Sequence, residues 1–132
     1  MMTWRQLRNY LKGKVVLVGL TFIDQEGKVI ERYQTHGTIA KLTIDGFFKI
    51  IREDNSIFRI PYLKETIKKA KEGKYREVST GETIENPDFI MTWKVKTSDH
   101  TDLEEIKRHG YMPVFDYDHA NRNYQAGKDD EG

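Results

Sequence analysis

Apolar residues along this chain change their spacing several times, and each change marks an expected element. Near the start, Trp4, Leu7 and Leu11 recur at three- and four-residue intervals, Thr3 and Gln6 form a capping-box pattern, and Gly13 follows as a stop. This spacing predicts a short amphipathic helix over residues 3–12, with Arg5, Arg8 and Lys12 on its solvated side. From Val15 to Ile23 the run becomes β-branched and aromatic and is apolar on both alternating faces, which predicts a central strand covered on both sides. Asp24-Gln25-Glu26-Gly27 reads as a turn, and Val29 to Ile44 as a long second arm of a hairpin. Along that arm the apolar phase shifts from Val29 and Tyr33 to Ala40, Leu42 and Ile44, and a bulge or sharp bend at His36-Gly37 accounts for the shift.

Asp45-Gly46 is a strong hairpin signal, with Phe47 to Glu53 as the next strand, Asp54-Asn55-Ser56 as a turn, and Ile57 to Ile60 as a strand closed by Pro61. Between residues 62 and 72, Leu63, Ile67 and Ala70 repeat at helical spacing with lysines elsewhere, predicting a helix or helical turn that ends near Gly73. Tyr75 to Thr80 returns to an extended pattern with a turn at Thr80-Gly81-Glu82, and Asn86-Pro87-Asp88 turns the chain again. Phe89, Met91, Trp93 and Val95 then alternate with Ile90, Thr92, Lys94 and Lys96 in a last strand. Thr101 and Glu104 form a second capping-box pattern, and basic residues precede Gly110, so a short helix over 102–109 is expected. Tyr111 to Phe115 is an apolar island, and residues 125–132 are expected to be disordered.

Length and charge refine this picture. The 132 residues suffice for one core, so the expected organisation is a single β-rich domain over 1–97 followed by an acidic C-terminal extension over 98–132. The net charge of +1 conceals an asymmetry: the extension holds four Lys/Arg against nine Asp/Glu, a net −5, and the remainder 18 against 12, a net +6. With no cysteine, disulfides, thiolate metal sites and thiol nucleophiles are excluded. The longest apolar stretch, Val15 to Ile23, is too short for a membrane-spanning helix, and the first residues lack a secretory pattern, so the expected location is cytoplasmic, with no membrane partner.

Candidate chemistry is sparse. His100, His109, His119, Asp116 and Asp118 offer imidazole and carboxylate groups, but without the paired spacing by which one helix presents two metal ligands. This leaves a metal-dependent hydrolase as a remote alternative. His36 lies at the expected strand bend, where a histidine with one satisfied nitrogen is the simpler reading. Ser79-Thr80-Gly81-Glu82 has the hydroxyls and glycine of a phosphate-cradling turn but lacks the glycine-lysine pair and following helix that such a loop needs, so an ordinary hairpin turn is expected. No cofactor motif is present. A possible binding surface gathers Lys64, Lys68, Lys69, Lys71, Lys74 and Arg76 with Tyr62 and Tyr75, a composition suited to single-stranded RNA or DNA through charge and stacking. Glu65, Glu72 and Glu77 interrupt it and lower its potential.

The succession Thr35-His36-Gly37-Thr38-Ile39, Asp45-Gly46-Phe47 and Asn55-Ser56-Ile57-Phe58-Arg59-Ile60-Pro61 resembles the bent strands of Sm-like and Src-homology-type small barrels, over roughly residues 15–97. The resemblance is one of strand pattern and carries over no site residue. It implies a small, strongly bent antiparallel sheet or partly open barrel, and with the short N-terminal and C-terminal helices read from spacing the expected fold is mainly β with minor α content. Such barrels mostly bind peptides, RNA or proteins, so the expected function is a noncatalytic protein-binding module, possible roles including a bacterial adaptor or a toxin-neutralising, immunity-like protein. Weak binding of single-stranded RNA or DNA is the alternative.

Overall fold

The β-branched run at Val15–Ile23 forms strand β1, and its position in the sheet explains why it is mostly apolar on both faces. In the computed structural model, which describes residues 1–97 and 100–111, β1 lies between β2 (Val29–Leu42) and β8 (Phe89–Lys96). The remaining elements are α1 (Trp4–Leu11), β3 (Phe47–Ile51), β4 (Ile57–Pro61), β5 (Ile67–Lys69), β6 (Lys74–Arg76), β7 (Thr83–Glu85) and α2 (His100–His109). Six strands form one sheet in the order β4-β3-β2-β1-β8-β5, and β6 and β7 form a separate two-stranded hairpin.

The fold is mainly β with two short helices. The successive pairs from β1 to β4 are antiparallel, as the turn signals imply. The sheet is nevertheless mixed, because β8 joins β1 in parallel, with Val18 opposite Met91 and Phe22 opposite Val95. It remains open, with β4 and β5 at its edges. Pro61 is tolerated at the end of edge strand β4, where a missing N–H interrupts no interior ladder.

The bend of β2 has a physical cause different from the expected one. Its first part pairs with β1 and its last part with β3, and the register shift falls between Ile39 and Lys41, beyond His36-Gly37. Gly37 instead permits close approach: a Cβ there would stand 2.5 Å from the Ile51 carbonyl oxygen and 2.7 Å from the Ile50 side chain.

Alternation along the strands separates two faces. Val16, Val18, Leu20 and Phe22 of β1 join Phe48, Ile50, Phe58, Ile60, Met91 and Val95 in the core, which Leu11 of α1 and Leu103 of α2 complete. On the opposite face of β1, Leu17 is also buried and pairs with His36 of β2.

Of the helix or helical turn expected over residues 62–72, only a turn is formed, and it ends well before Gly73. Residues 62–72 make no α-helix: a single 3-10 turn at Lys64–Thr66 leads into β5, which pairs with β8. Ile67 and Lys69 thus follow a strand's period, and tertiary pairing with an exposed edge of β8 prevails over the local helical spacing.

The expected helix over 102–109 is found as α2, and its place on the sheet is fixed at its C-terminus. The Arg52 guanidinium donates to the carbonyl oxygens of Lys107 at 2.9 Å and Arg108 at 2.6 Å, bringing positive charge to the negative end of the helix dipole. Gly110, at φ +105°, ends the helix and lies against the Arg59 backbone too closely for any side chain. Tyr111 continues the packing, its ring 5.6 Å from Trp93 in an edge-to-face arrangement. The remainder of the apolar island, with His119, Asp116, Asp118 and the terminal segment 125–132, lies outside the described residues. No helix among the described residues is long and apolar enough to cross a membrane.

Candidate functional site

Three chain segments converge on His36. Because Thr35 pairs with Val18 and faces the core, alternation turns His36 to the opposite face, its side chain 12% exposed. The β6–β7 connection lies against this face. Gln34 anchors it twice: its main-chain N–H donates to Ser79 Oγ at 2.9 Å, and its side-chain oxygen accepts from the Val78 N–H at 2.6 Å. The connection itself is an ordinary hairpin turn, in which the Gly81 N–H donates to the Glu77 carbonyl at 2.7 Å and the Glu77 N–H to the Glu82 carbonyl at 2.8 Å.

This turn buries the Glu77 carboxylate to 3% exposure. One carboxylate oxygen lies 2.6 Å from His36 Nδ1, and the other accepts from Thr80 Oγ1 at 2.9 Å. A carboxylate can only accept, so Nδ1 carries a proton and the neutral imidazole keeps its lone pair on Nε2. Burial disfavours the charged ring, but the hydrogen bond and charge of Glu77, followed by those of Glu53, outweigh it and raise the His36 pKa above its ordinary 6.5.

Glu53 comes from the β3–β4 turn. There Asp54 accepts from both the N–H and the Oγ of Ser56, at 2.9 and 2.6 Å, and these bonds lower the Asp54 pKa. The turn brings Glu53 to 3.5 Å from His36 Nε2. Glu82, from the hairpin turn, completes a group in which one donor atom each from His36, Glu53 and Glu82 lies within 4.8 Å of the others. His36 stands between two open clefts of about 510 and 770 Å3 that share His36, Arg52, Glu53 and Glu82.

The lysine-rich surface expected from sequence is distributed differently. Lys64 lies on the 3-10 turn, Lys68 and Lys69 on edge strand β5, Lys71 in the following loop, and Lys74 and Arg76 on β6. They therefore share no helix face. Tyr62 packs against Trp4 and Phe48, with ring centroids at 5.7 and 5.8 Å, and the Tyr75 hydroxyl donates to the Lys71 carbonyl at 2.7 Å. His109 is exposed and lies 3.7 Å from Glu105, one turn earlier on α2.

Sequence reading singled out His36 but none of its three glutamates as partners. Glu77 looked like an interruption of a lysine cluster. Its extended context and the neighbouring turn were visible, but the contact 41 residues away in the chain was not. Comparison with protein-family models, curated proteins and solved structures yields no match.

Proposed function

We propose that the chain is a noncatalytic protein-binding module that contacts its partner through the apolar end of the sheet around Tyr62. The observation that carries this reading is the exposure of Trp4, Ile44 and Leu63, at 39%, 77% and 47%, about that residue. Trp4 packs on the Tyr62 ring, Leu63 follows in the chain, and the Tyr62 N–H donates to the Gly46 carbonyl at 2.8 Å, bringing the Ile44 turn alongside. Covering such apolar surface contributes about 25 cal/mol per Å2 removed from water, and exposed apolar clusters rimmed by charge are typical contact surfaces. Here Arg5, Lys64 and Glu65 supply nearby charge. An adaptor or toxin-neutralising role fits a domain whose work is done by such a surface.

The test places a photo-crosslinking residue at position 44 and, separately, at Glu26, then exposes each protein to lysate of its source cells. The reading expects a discrete protein adduct from position 44 only, abolished by Leu63→Asp without a change in melting temperature. Equal labelling from both positions, or an adduct that survives Leu63→Asp, contradicts it. Nucleic acid in the adduct would instead favour the single-strand-binding alternative, which requires loss of binding as salt rises.

A further inference from the structure

In the neutral form of its ring, His36 keeps a lone pair on Nε2, 3.5 Å from Glu53, and Glu82 stands in the same group. With Nδ1 committed to Glu77, the neutral ring has no N–H to offer Glu53 or Glu82. When the ring is neutral, three electron-pair donors from three parts of the chain are gathered without a proton between them, and a metal cation can take the place that the proton holds at lower pH.

We propose that His36 Nε2, Glu53 and Glu82 form a binding site for a divalent first-row transition ion, such as Zn2+ or Mn2+, with Glu77 as the positioning residue for the imidazole. The donor set selects this class of ion. Two carboxylates balance the 2+ charge, and an imidazole nitrogen favours transition ions over Mg2+ and Ca2+, which prefer oxygen alone. Glu77 supplies what metal-ligating histidines almost always have, a carboxylate on the other ring nitrogen that fixes tautomer and orientation. Its burial and its bond to Thr80 hold it in that role.

Coordination at about 2.0–2.2 Å requires the donors to draw somewhat closer than 4.8 Å. The freedom for this lies in the two glutamates: Glu53 is 71% exposed, Glu82 is also exposed, and both stand on turns. Three protein donors leave further coordination positions open to the adjoining clefts. Occupancy would fasten the β3–β4 turn and the β6–β7 hairpin to β2, so the ion would stabilise the protein as well as bind to it. This site is separate from the apolar surface around Tyr62 and stands or falls independently of it.

The test uses the full-length chain, freed of metal with a chelator and desalted, and titrated calorimetrically with Zn2+, Mn2+ and Mg2+. The expected result is one Zn2+ or Mn2+ per chain, bound at least tenfold more tightly than Mg2+, with a higher melting temperature on binding. Glu53→Gln and Glu82→Gln change exposed residues and should melt like the parent without metal, yet each should weaken binding at least tenfold. Glu77→Gln should weaken it roughly 10- to 100-fold through loss of the imidazole's orientation. Cobalt should give a visible absorption band that changes in His36→Ala, provided that variant folds. Absence of one-to-one binding, or binding unchanged by both Glu53→Gln and Glu82→Gln, overturns the proposal.

Discussion

The two faces of the central sheet are built by different means. On the core face, residues such as Val18, Phe22, Phe48 and Met91 are fully buried and interchangeable in kind, since each contributes apolar area and volume. On the His36 face, polar groups are matched to particular partners: Gln34 holds Ser79 and Val78, Glu77 holds His36 and Thr80, and Asp54 holds Ser56. The first face makes the fold stable through bulk. The second makes one arrangement of turns specific, above all through Glu77, whose buried carboxylate would cost about 1–3 kcal/mol if left unpaired. The two faces should therefore respond differently to substitution.

The largest effect is expected on the core face. Val18→Asp buries a carboxylate without a partner and should cost more than about 4 kcal/mol, enough to prevent stable folding. A soluble variant with an unchanged melting temperature would show that β1 is not central. Arg52→Ala removes the bonds to the Lys107 and Arg108 carbonyls and the contact with the Phe58 ring, 5.0 Å away. It should cost about 2–3 kcal/mol in chemical denaturation and speed hydrogen exchange in α2 first. Uniform loss of protection would mean that Arg52 does not act through the helix.

Smaller effects belong to the His36 face. With chelator present, His36 binds its proton more tightly when folded than when unfolded, because its folded pKa is raised. This stabilisation is complete below the ordinary value of 6.5 and is lost as pH rises through the raised folded value. Melting temperature should fall across that interval, and less so in His36→Ala. A rise over the same interval in the parent protein alone would contradict the assignment. Glu82→Gln, at an exposed turn position, should change metal-free stability by no more than about 0.5 kcal/mol.

Much of the first face was legible in the sequence. The alternation of Phe89, Met91 and Val95, the apolar run at Val15–Ile23 and the turns at Asp45-Gly46 and Asp54-Ser56 each rest on a local rule, and each is found in place. The parallel union of β1 with β8 was not legible, because it joins segments more than 70 residues apart and leaves no mark in local spacing. The same limit explains β5: Leu63, Ile67 and Ala70 satisfy a helical period, but pairing of Ile67 with Met91 decides the outcome. The His36 cluster was the least legible part. His36, Glu53, Glu77 and Glu82 acquire meaning only when two turns fold onto β2, and each alone reads as an ordinary surface charge or strand histidine.

Glu77 fixes the neutral His36 ring with its proton on Nδ1 and its lone pair on Nε2. The most direct test is the nitrogen-15 chemical shift of both ring atoms in metal-free protein, followed as pH is raised until the imidazole is neutral. The expected result is a protonated Nδ1 and a bare Nε2, with that preference weakened in Glu77→Gln. A neutral ring protonated on Nε2 would mean that Glu77 does not set the tautomer, for the lone pair would then face Glu77 and leave none for a metal beside Glu53.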